Sequence, residues 1–135
     1  MAGGMEDNLE IKAVDRDGVR VFELWGNHTV YNARVLKTNV EKALKEGMSR
    51  IVVDLKNCAY VDSAGLGTFV SCRFHVTKSG GSLVICNASK SLLRVLKLSK
   101  VDKVLPVFDS LDDAMKAQQV CIPLHSPSLR GNTAQ

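Results

Sequence analysis

Aromatic side chains, long apolar runs and closely paired cysteines are all scarce in this 135-residue chain. Aromatic residues make up only 5% of it, too few to suggest a stacking platform for single-stranded nucleic acid. No apolar run approaches the roughly 18 residues that a membrane-spanning helix requires. Residues 1–7 lack the basic and apolar regions of a signal peptide. These absences predict a cytoplasmic protein with no membrane span.

The cysteines and histidines show no spacing typical of a metal site. Cys58, Cys72, Cys86 and Cys121 form no C-x-x-C pair, and no histidines or carboxylates pair at ligand spacing with a third ligand. We therefore expect reduced thiols, mostly buried, rather than disulfides or metal ligands. No metal and no cofactor is predicted.

Length and charge indicate one ordinary globular domain. The chain is 45% hydrophobic and 24% charged, and its 18 Lys and Arg exceed its 14 Asp and Glu by four. We interpret the basic residues as dispersed rather than collected in one block, so direct nucleic-acid binding is not expected. The predicted organisation is a flexible N-terminus over residues 1–8, a single domain over 9–120 and a disordered tail over 121–135.

Alternation of apolar and polar residues predicts strands, and apolar recurrence every three or four residues predicts helices. The order of elements predicts an α/β fold, with a mixed four- to five-stranded sheet packed with about four helices. The predicted elements are a hairpin of Leu9–Val14 and Val19–Trp25 around a turn at Asp15–Gly18, a helix from about Tyr31 to Lys45 closed by Gly47, a strand at Ile51–Leu55, a helix from Ser63 to about Lys78, a strand at Ser82–Cys86, a helix at Ser89–Leu98, an edge strand at Val104–Phe108 and a helix from about Ser110 to Val120.

The stretch from Tyr60 to Gly67, Tyr-Val-Asp-Ser-Ala-Gly-Leu-Gly, is the most informative part of the chain. It follows Ile51–Leu55, whose continuous apolarity is typical of a strand buried on both faces, and residues 56–60 are expected to leave the sheet edge. Ser63 is predicted at or just before the first turn of a helix. Unpaired backbone N–H groups and the positive end of the helix dipole accommodate a phosphate there.

Two glycines, Gly65 and Gly67, fall in that first turn, where each costs up to roughly 0.5–1 kcal/mol relative to alanine. We expect another backbone to approach them closely. The alternative is that Ser63 only caps the helix and that the glycines only allow tight packing. Along this helix, Leu66, Phe69, Val70 and Phe74 are predicted on one face, and Thr68, Cys72 and Val76 on another.

Enzyme motifs are incomplete in this stretch. Val61 stands where the nucleophile pattern G-x-S-x-G requires glycine, and Val70 stands where G-x-G-x-x-G requires its third glycine. Of the histidines that could act as a base, His75 falls mid-helix, His125 falls in the tail, and His28 is interpreted as a surface or packing residue. No catalytic residue is predicted, and a small hydrolase or nucleotide-binding domain remains the enzyme-class alternative.

The order of elements and the stretch Val61–Gly67 resemble the STAS domain of bacterial anti-sigma factor antagonists, whose hallmark is Asp-Ser/Thr-small-Gly-Leu-Gly after the central strand. The similarity extends from about Leu9 to Gln119. Supporting matches are Gly26, Ala33 and Leu36 at the entry to the first helix, Gly80-Gly81 before Leu83–Ile85, and Leu96–Leu105 before Phe108.

The resemblance implies a protein switch in which Ser63 accepts phosphate. The unphosphorylated form would bind an anti-sigma factor that is also a serine kinase, and a PP2C-type phosphatase would reverse the modification. The implied partner-binding residues are Asn27, His28, Thr29, Asp62, Ala64, Gly65, Leu66 and Gly67. Thr29 stands where the family often carries aspartate, and His28 replaces an apolar residue of the family pattern. The alternative within the family is a STAS subunit that docks on a transporter or a larger signalling assembly without a sigma factor.

Overall fold

The computed structural model describes residues 8–120, and the predictions for residues 1–7 and 121–135 lie outside it. Apolar alternation and helical spacing produce the elements in the predicted order. They are β1 (Leu9–Arg16), β2 (Val19–His28), α1 (Ala33–Lys45), β3 (Arg50–Asp54), β4 (Cys58–Val61), α2 (Ser63–Lys78), β5 (Ser82–Cys86), α3 (Lys90–Leu98), a 3-10 turn (Val101–Lys103), β6 (Val107–Phe108) and α4 (Leu111–Val120).

A mixed sheet of six strands forms the centre of the described residues. Its main path runs β1-β2-β3-β5-β6, with β1 antiparallel to β2 and the other neighbours parallel. The hairpin turns at Asp17-Gly18, where both residues have positive φ, the conformation that a two-residue type I′ turn requires. The mixed α/β fold and the four helices are as predicted.

The strand β3 is buried on both faces, as its uninterrupted apolar run predicts. Ile51 and Val53 face a core beneath α1, α2 and α3, whereas Val52 faces a second core with Ala114 and Met115 of α4. Successive side chains of a strand point to opposite faces, so this one strand anchors both layers. The chain therefore leaves the sheet at Leu55 with its preceding residues held rigidly.

The prediction that residues 56–60 form only a connection was wrong. Cys58–Val61 is a strand, β4, which pairs in parallel with Gly26–His28 at the far end of β2. Along β2, only Arg20–Glu23 pair with β3, so the last residues of β2 extend past β3 and leave backbone groups to be paired. This added strand brings the count to six rather than four or five.

The other boundary corrections have local causes. The edge strand is only Val107–Phe108, because Val101–Lys103 is a 3-10 turn and Pro106 has no N–H to donate. The first helix begins at Ala33 rather than Tyr31, after a tight loop described below. Helix α3 begins at Lys90, with the Ser89 hydroxyl accepting from the backbone N–H of Leu92 at 3.1 Å.

Candidate functional site

Asp62, not Ser63, caps helix α2. Asp62 lies at the end of β4 with extended backbone, and its carboxylate accepts a hydrogen bond from the backbone N–H of Gly65 at 2.8 Å. Ser63 is the first helical residue. The alternative that Ser63 only caps the helix is therefore wrong, because the side-chain oxygen that accepts the capping hydrogen bond belongs to Asp62.

The same carboxylate also holds the loop after β2. Its second oxygen accepts from the backbone N–H of Val30 at 2.9 Å, and the Asp62 N–H donates to the carbonyl oxygen of His28 at 3.2 Å. Burial alone would raise the pKa of Asp62, but backbone N–H donors, including those of Gly65 and Val30, outweigh it and hold the pKa below its usual value. A negative charge is thus fixed beside Ser63 at neutral pH.

Ser63 itself is exposed, and within residues 8–120 its hydroxyl has no hydrogen-bond partner. The hydroxyl projects from the N-terminal turn of a 16-residue helix, where the dipole favours an acceptor or an anion. The Ser63 side chain thus lies open to solvent at the start of the helix.

The two glycines of the first turn differ sharply. A Cβ atom on Gly65 would lie 2.5 Å from the His28 carbonyl oxygen and 2.9 Å from a methyl carbon of Val61. At Gly67 nothing lies within 4 Å of the corresponding position. The predicted close approach of another backbone is confirmed at Gly65 and wrong at Gly67, where the helix surface is bare and open.

His28 lies beneath this turn, fully buried, with its ring stacked on Phe69 at 4.8 Å between centroids. Burial lowers the pKa of His28 to about 4, and the nearby Asp62 carboxylate opposes this only in part. Neither ring nitrogen has a hydrogen-bond partner within the described residues. His28 is thus a packing residue and a neutral one at pH 7.

The loop from Asn27 to Asn32 is closed by its own polar groups. The Asn32 side chain accepts from the Thr29 N–H at 3.0 Å and donates to the Asn27 carbonyl oxygen at 2.9 Å. The hydroxyl of Thr29, which is 6% exposed, accepts from the Tyr31 N–H at 3.3 Å. This compact turn leaves the side chains of Val30 and Tyr31, 61% and 78% exposed, on the surface.

Four of the predicted partner-binding residues are therefore not surface residues. His28, Thr29, Gly65 and Leu66 are all buried. A direct contact of these four with a partner therefore stays a prediction. Ser63 and Gly67 are exposed, and Asn27, Asp62 and Ala64 are partly exposed.

Phe74 was predicted on one face of α2 with Leu66, Phe69 and Val70, and this grouping was wrong. The buried stripe is Gly65, Leu66, Phe69, Cys72 and Val76, whereas Phe74 is 71% exposed. At 3.6 residues per turn, Ser63, Gly67 and Phe74 lie within about 40° of one another around the axis. Phe74 thus lies on the same face as Ser63, about 16 Å along the helix.

Three of the four cysteines lie in the described residues. Cys58, Cys72 and Cys86 are free thiols, and burial raises the pKa of Cys72 and of Cys86 to about 12. Cys121 and His125 lie outside the described residues. Over residues 8–120 no three His, Cys, Asp or Glu side chains are grouped to hold a metal ion. None of the helices described is both long and apolar enough to cross a membrane.

Comparison with known families matches residues 10–114 to the STAS domain. The chain belongs to the STAS-domain family. An anti-sigma-B factor antagonist of Bacillus subtilis is 31% identical over 103 residues, which cover 76% of this chain and 92% of that protein. The sequence resemblance is thereby confirmed.

Solved structures support the same fold. The crystal structure of an anti-sigma factor antagonist from Mycobacterium paratuberculosis superposes with a TM-score of 0.76 at 23% identity, covering 84% of this chain and 96% of that one. The phosphorylated form of the Bacillus cell fate determinant SpoIIAA superposes with a TM-score of 0.61 at 16% identity, covering 82% and 98%. These likenesses show the STAS fold.

Proposed function

We propose that this STAS domain is an anti-sigma factor antagonist that binds its anti-sigma factor when Ser63 is unmodified and releases it when Ser63 is phosphorylated. The observation that carries the proposal is the exposed, unbonded Ser63 hydroxyl at the first residue of α2. The relatedness to the Bacillus subtilis antagonist supports the class of partner. In this proposal the partner is also the serine kinase, a PP2C-type phosphatase restores the free form, and the exchange takes place in the cytoplasm.

The docking surface is centred on the bare part of helix α2. Ser63 and Gly67 present almost no side-chain volume, so a partner's backbone can approach the helix closely. Exposed apolar side chains flank this centre, with Val30 and Tyr31 on one side and Phe74 along the helix. A central close approach flanked by large apolar anchors is typical of protein interfaces.

A phosphate on Ser63 opposes docking through its charge. It adds about 1.5 to 2 negative charges next to the Asp62 carboxylate, which is ionised at neutral pH. A partner that covers this point must remove both groups from water, at a cost of several kcal/mol unless cations compensate. Since 1.4 kcal/mol is tenfold in affinity, such a cost suffices to separate the two proteins.

The switch does not require the domain to refold. The bonds that start α2 come from Asp62 to Gly65 and Val30, and none of them uses the Ser63 hydroxyl. His28, Thr29, Gly65 and Leu66 support the surface from beneath, which is the role we propose for them in place of direct contact. Phosphorylation then changes the surface charge and leaves the backbone in place.

A pull-down from the native cytosol tests the proposal, with bound proteins identified by mass spectrometry. The unmodified chain should retain an ATP-binding serine kinase that the Ser63→Glu variant loses. The matched control is Ser91→Glu, which places the same charge on an exposed serine in the first turn of α3. Retention of the kinase by Ser63→Glu, or retention of a transporter in place of any kinase, would contradict the proposal.

A further inference from the structure

The net positive charge of the protein resides in one short segment. Residues 90–103 carry five basic side chains and one acidic one, Asp102, whereas the rest of the chain has thirteen of each. The sequence-based interpretation of the basic residues as dispersed does not hold for these five. All five are exposed, on helix α3 and the 3-10 turn that follows it: Lys90, Arg94, Lys97, Lys100 and Lys103.

Within residues 8–120 these five cations have no ion-pair partner. The ion pairs in the described residues join Arg20 to Asp15 and to Glu46, and none involves this segment. Asp102 does not form an ion pair with any of them, and one of its carboxylate oxygens is buried without a hydrogen-bond partner in the described residues. The negative end of the α3 dipole stabilises a cation in the last turn of the helix. Lys97 is the basic residue in that turn, so the dipole gives no reason for the other four cations.

Aliphatic side chains lie exposed among the cations. Leu98 is 78% exposed and sits one turn after Arg94, so the two are neighbours on the outer face of α3. Val95 and Val104 are 42% and 54% exposed, while Leu92 and Leu96 hold the opposite face in the core. The helix therefore presents an outward surface that is basic and apolar together.

We propose that this surface, formed by α3 and the 3-10 turn, docks on an anionic lipid bilayer. A bilayer of acidic headgroups complements a surface with a single sign of charge, lysine stems extend to the headgroups, and Leu98 enters the acyl boundary. Protein interfaces are instead depleted in lysine and enriched in aromatic residues, whereas this surface has four lysines and no aromatic residue. A nucleic-acid backbone would make no use of the exposed Leu98.

Co-sedimentation of the full chain with vesicles tests the inference. We expect binding to vesicles of equal parts phosphatidylcholine and phosphatidylglycerol, and none to phosphatidylcholine alone, at about 0.1 M salt. Each basic residue near an anionic bilayer contributes about fivefold in binding, so Lys97→Glu with Lys100→Glu should weaken it at least about 25-fold. Leu98→Ser should weaken it about fivefold.

The matched control is Lys42→Glu with Lys45→Glu, which makes the same change of net charge in the last turn of α1. It should keep most of the binding, and circular dichroism should show every variant folded. Equal losses in the two double variants, or no binding to anionic vesicles, would overturn the inference. So would binding to a random DNA duplex in place of the vesicles, because the surface would then serve nucleic acid.

Discussion

A single carboxylate determines the geometry around Ser63. Asp62 joins the start of α2 to the loop after β2 through the N–H groups of Gly65 and Val30. Asp62→Ala removes both bonds and should lower the free energy of unfolding by about 1–2 kcal/mol. Urea denaturation measures this against Ser89→Ala, which removes one capping bond at the start of α3. A smaller loss of stability for Asp62→Ala than for Ser89→Ala would contradict the claim that Asp62 holds both the helix start and the loop.

The two neighbouring glycines should respond to alanine in opposite directions. Gly65→Ala places a methyl group against the His28 carbonyl oxygen and should destabilise the fold by about 1–3 kcal/mol. Gly67→Ala meets open space and should stabilise the helix by up to about 1 kcal/mol. Thermal and urea unfolding of both variants measure the difference. A destabilising Gly67→Ala would show that Gly67 has a structural role in the free protein.

His28 should make stability depend on pH. Its pKa of about 4 in the folded chain lies below the ordinary value of 6.5, so the unfolded chain takes up the proton first. Its contribution is fully present above pH 6.5 and is lost as the pH falls to 4, which amounts to about 3 kcal/mol.

Urea denaturation between pH 7 and 4 checks that loss. His28→Leu should flatten the dependence in this window relative to the unmodified chain. Identical pH profiles for His28→Leu and the unmodified chain would show that the ring is not kept neutral by burial.

At the scale of the elements, the outer face of α2 carries the proposed docking surface. Phe74→Ala removes an exposed ring and should weaken kinase binding at least about tenfold without affecting stability. Gly67→Ala should also weaken binding despite its more stable helix. Leu98→Ala, at an equally exposed apolar position on α3, is the control. Calorimetric titration that finds Phe74→Ala and Leu98→Ala equally neutral would exclude Phe74 from the interface while leaving the Ser63 switch intact.

Helical spacing correctly predicted the helix α2, but the prediction of which side chains share a face was wrong for Phe74. Phe74 was grouped with Leu66 and Phe69 because all are apolar, yet its angle about the axis sets it opposite the buried stripe. The strand β4 was missed for another reason. Its four residues are mostly exposed and lack the apolar run of β3, and only the overhanging end of β2 explains its pairing. The pattern of apolar residues along a segment indicates which side chains are buried. Whether the segment pairs as a strand depends on another strand far away in the sequence.

At the scale of the whole molecule, the buried strands and the order of the helices could be predicted from the sequence. Both are determined by which residues are apolar and enter the core. An apolar run was enough to predict the strand at residues 51–55, which the structure has at Arg50–Asp54. The change from strand to helical spacing was enough to predict that α2 starts at Ser63. The exposed positions of Val30 and Tyr31 depend on how Asn32 and Thr29 close a loop. The excess of basic residues over residues 90–103 can be counted in the sequence, but their exposure together on one surface depends on the fold.

The affinity of the chain bearing phosphoserine at position 63 for the kinase recovered from cytosol tests the central claim most directly. Calorimetry should find binding at least about 100-fold weaker than that of the unmodified chain, with unchanged circular dichroism, because the phosphate acts on the surface and not on the fold. Equal affinity of the two forms would contradict the claim that Ser63 is the switch.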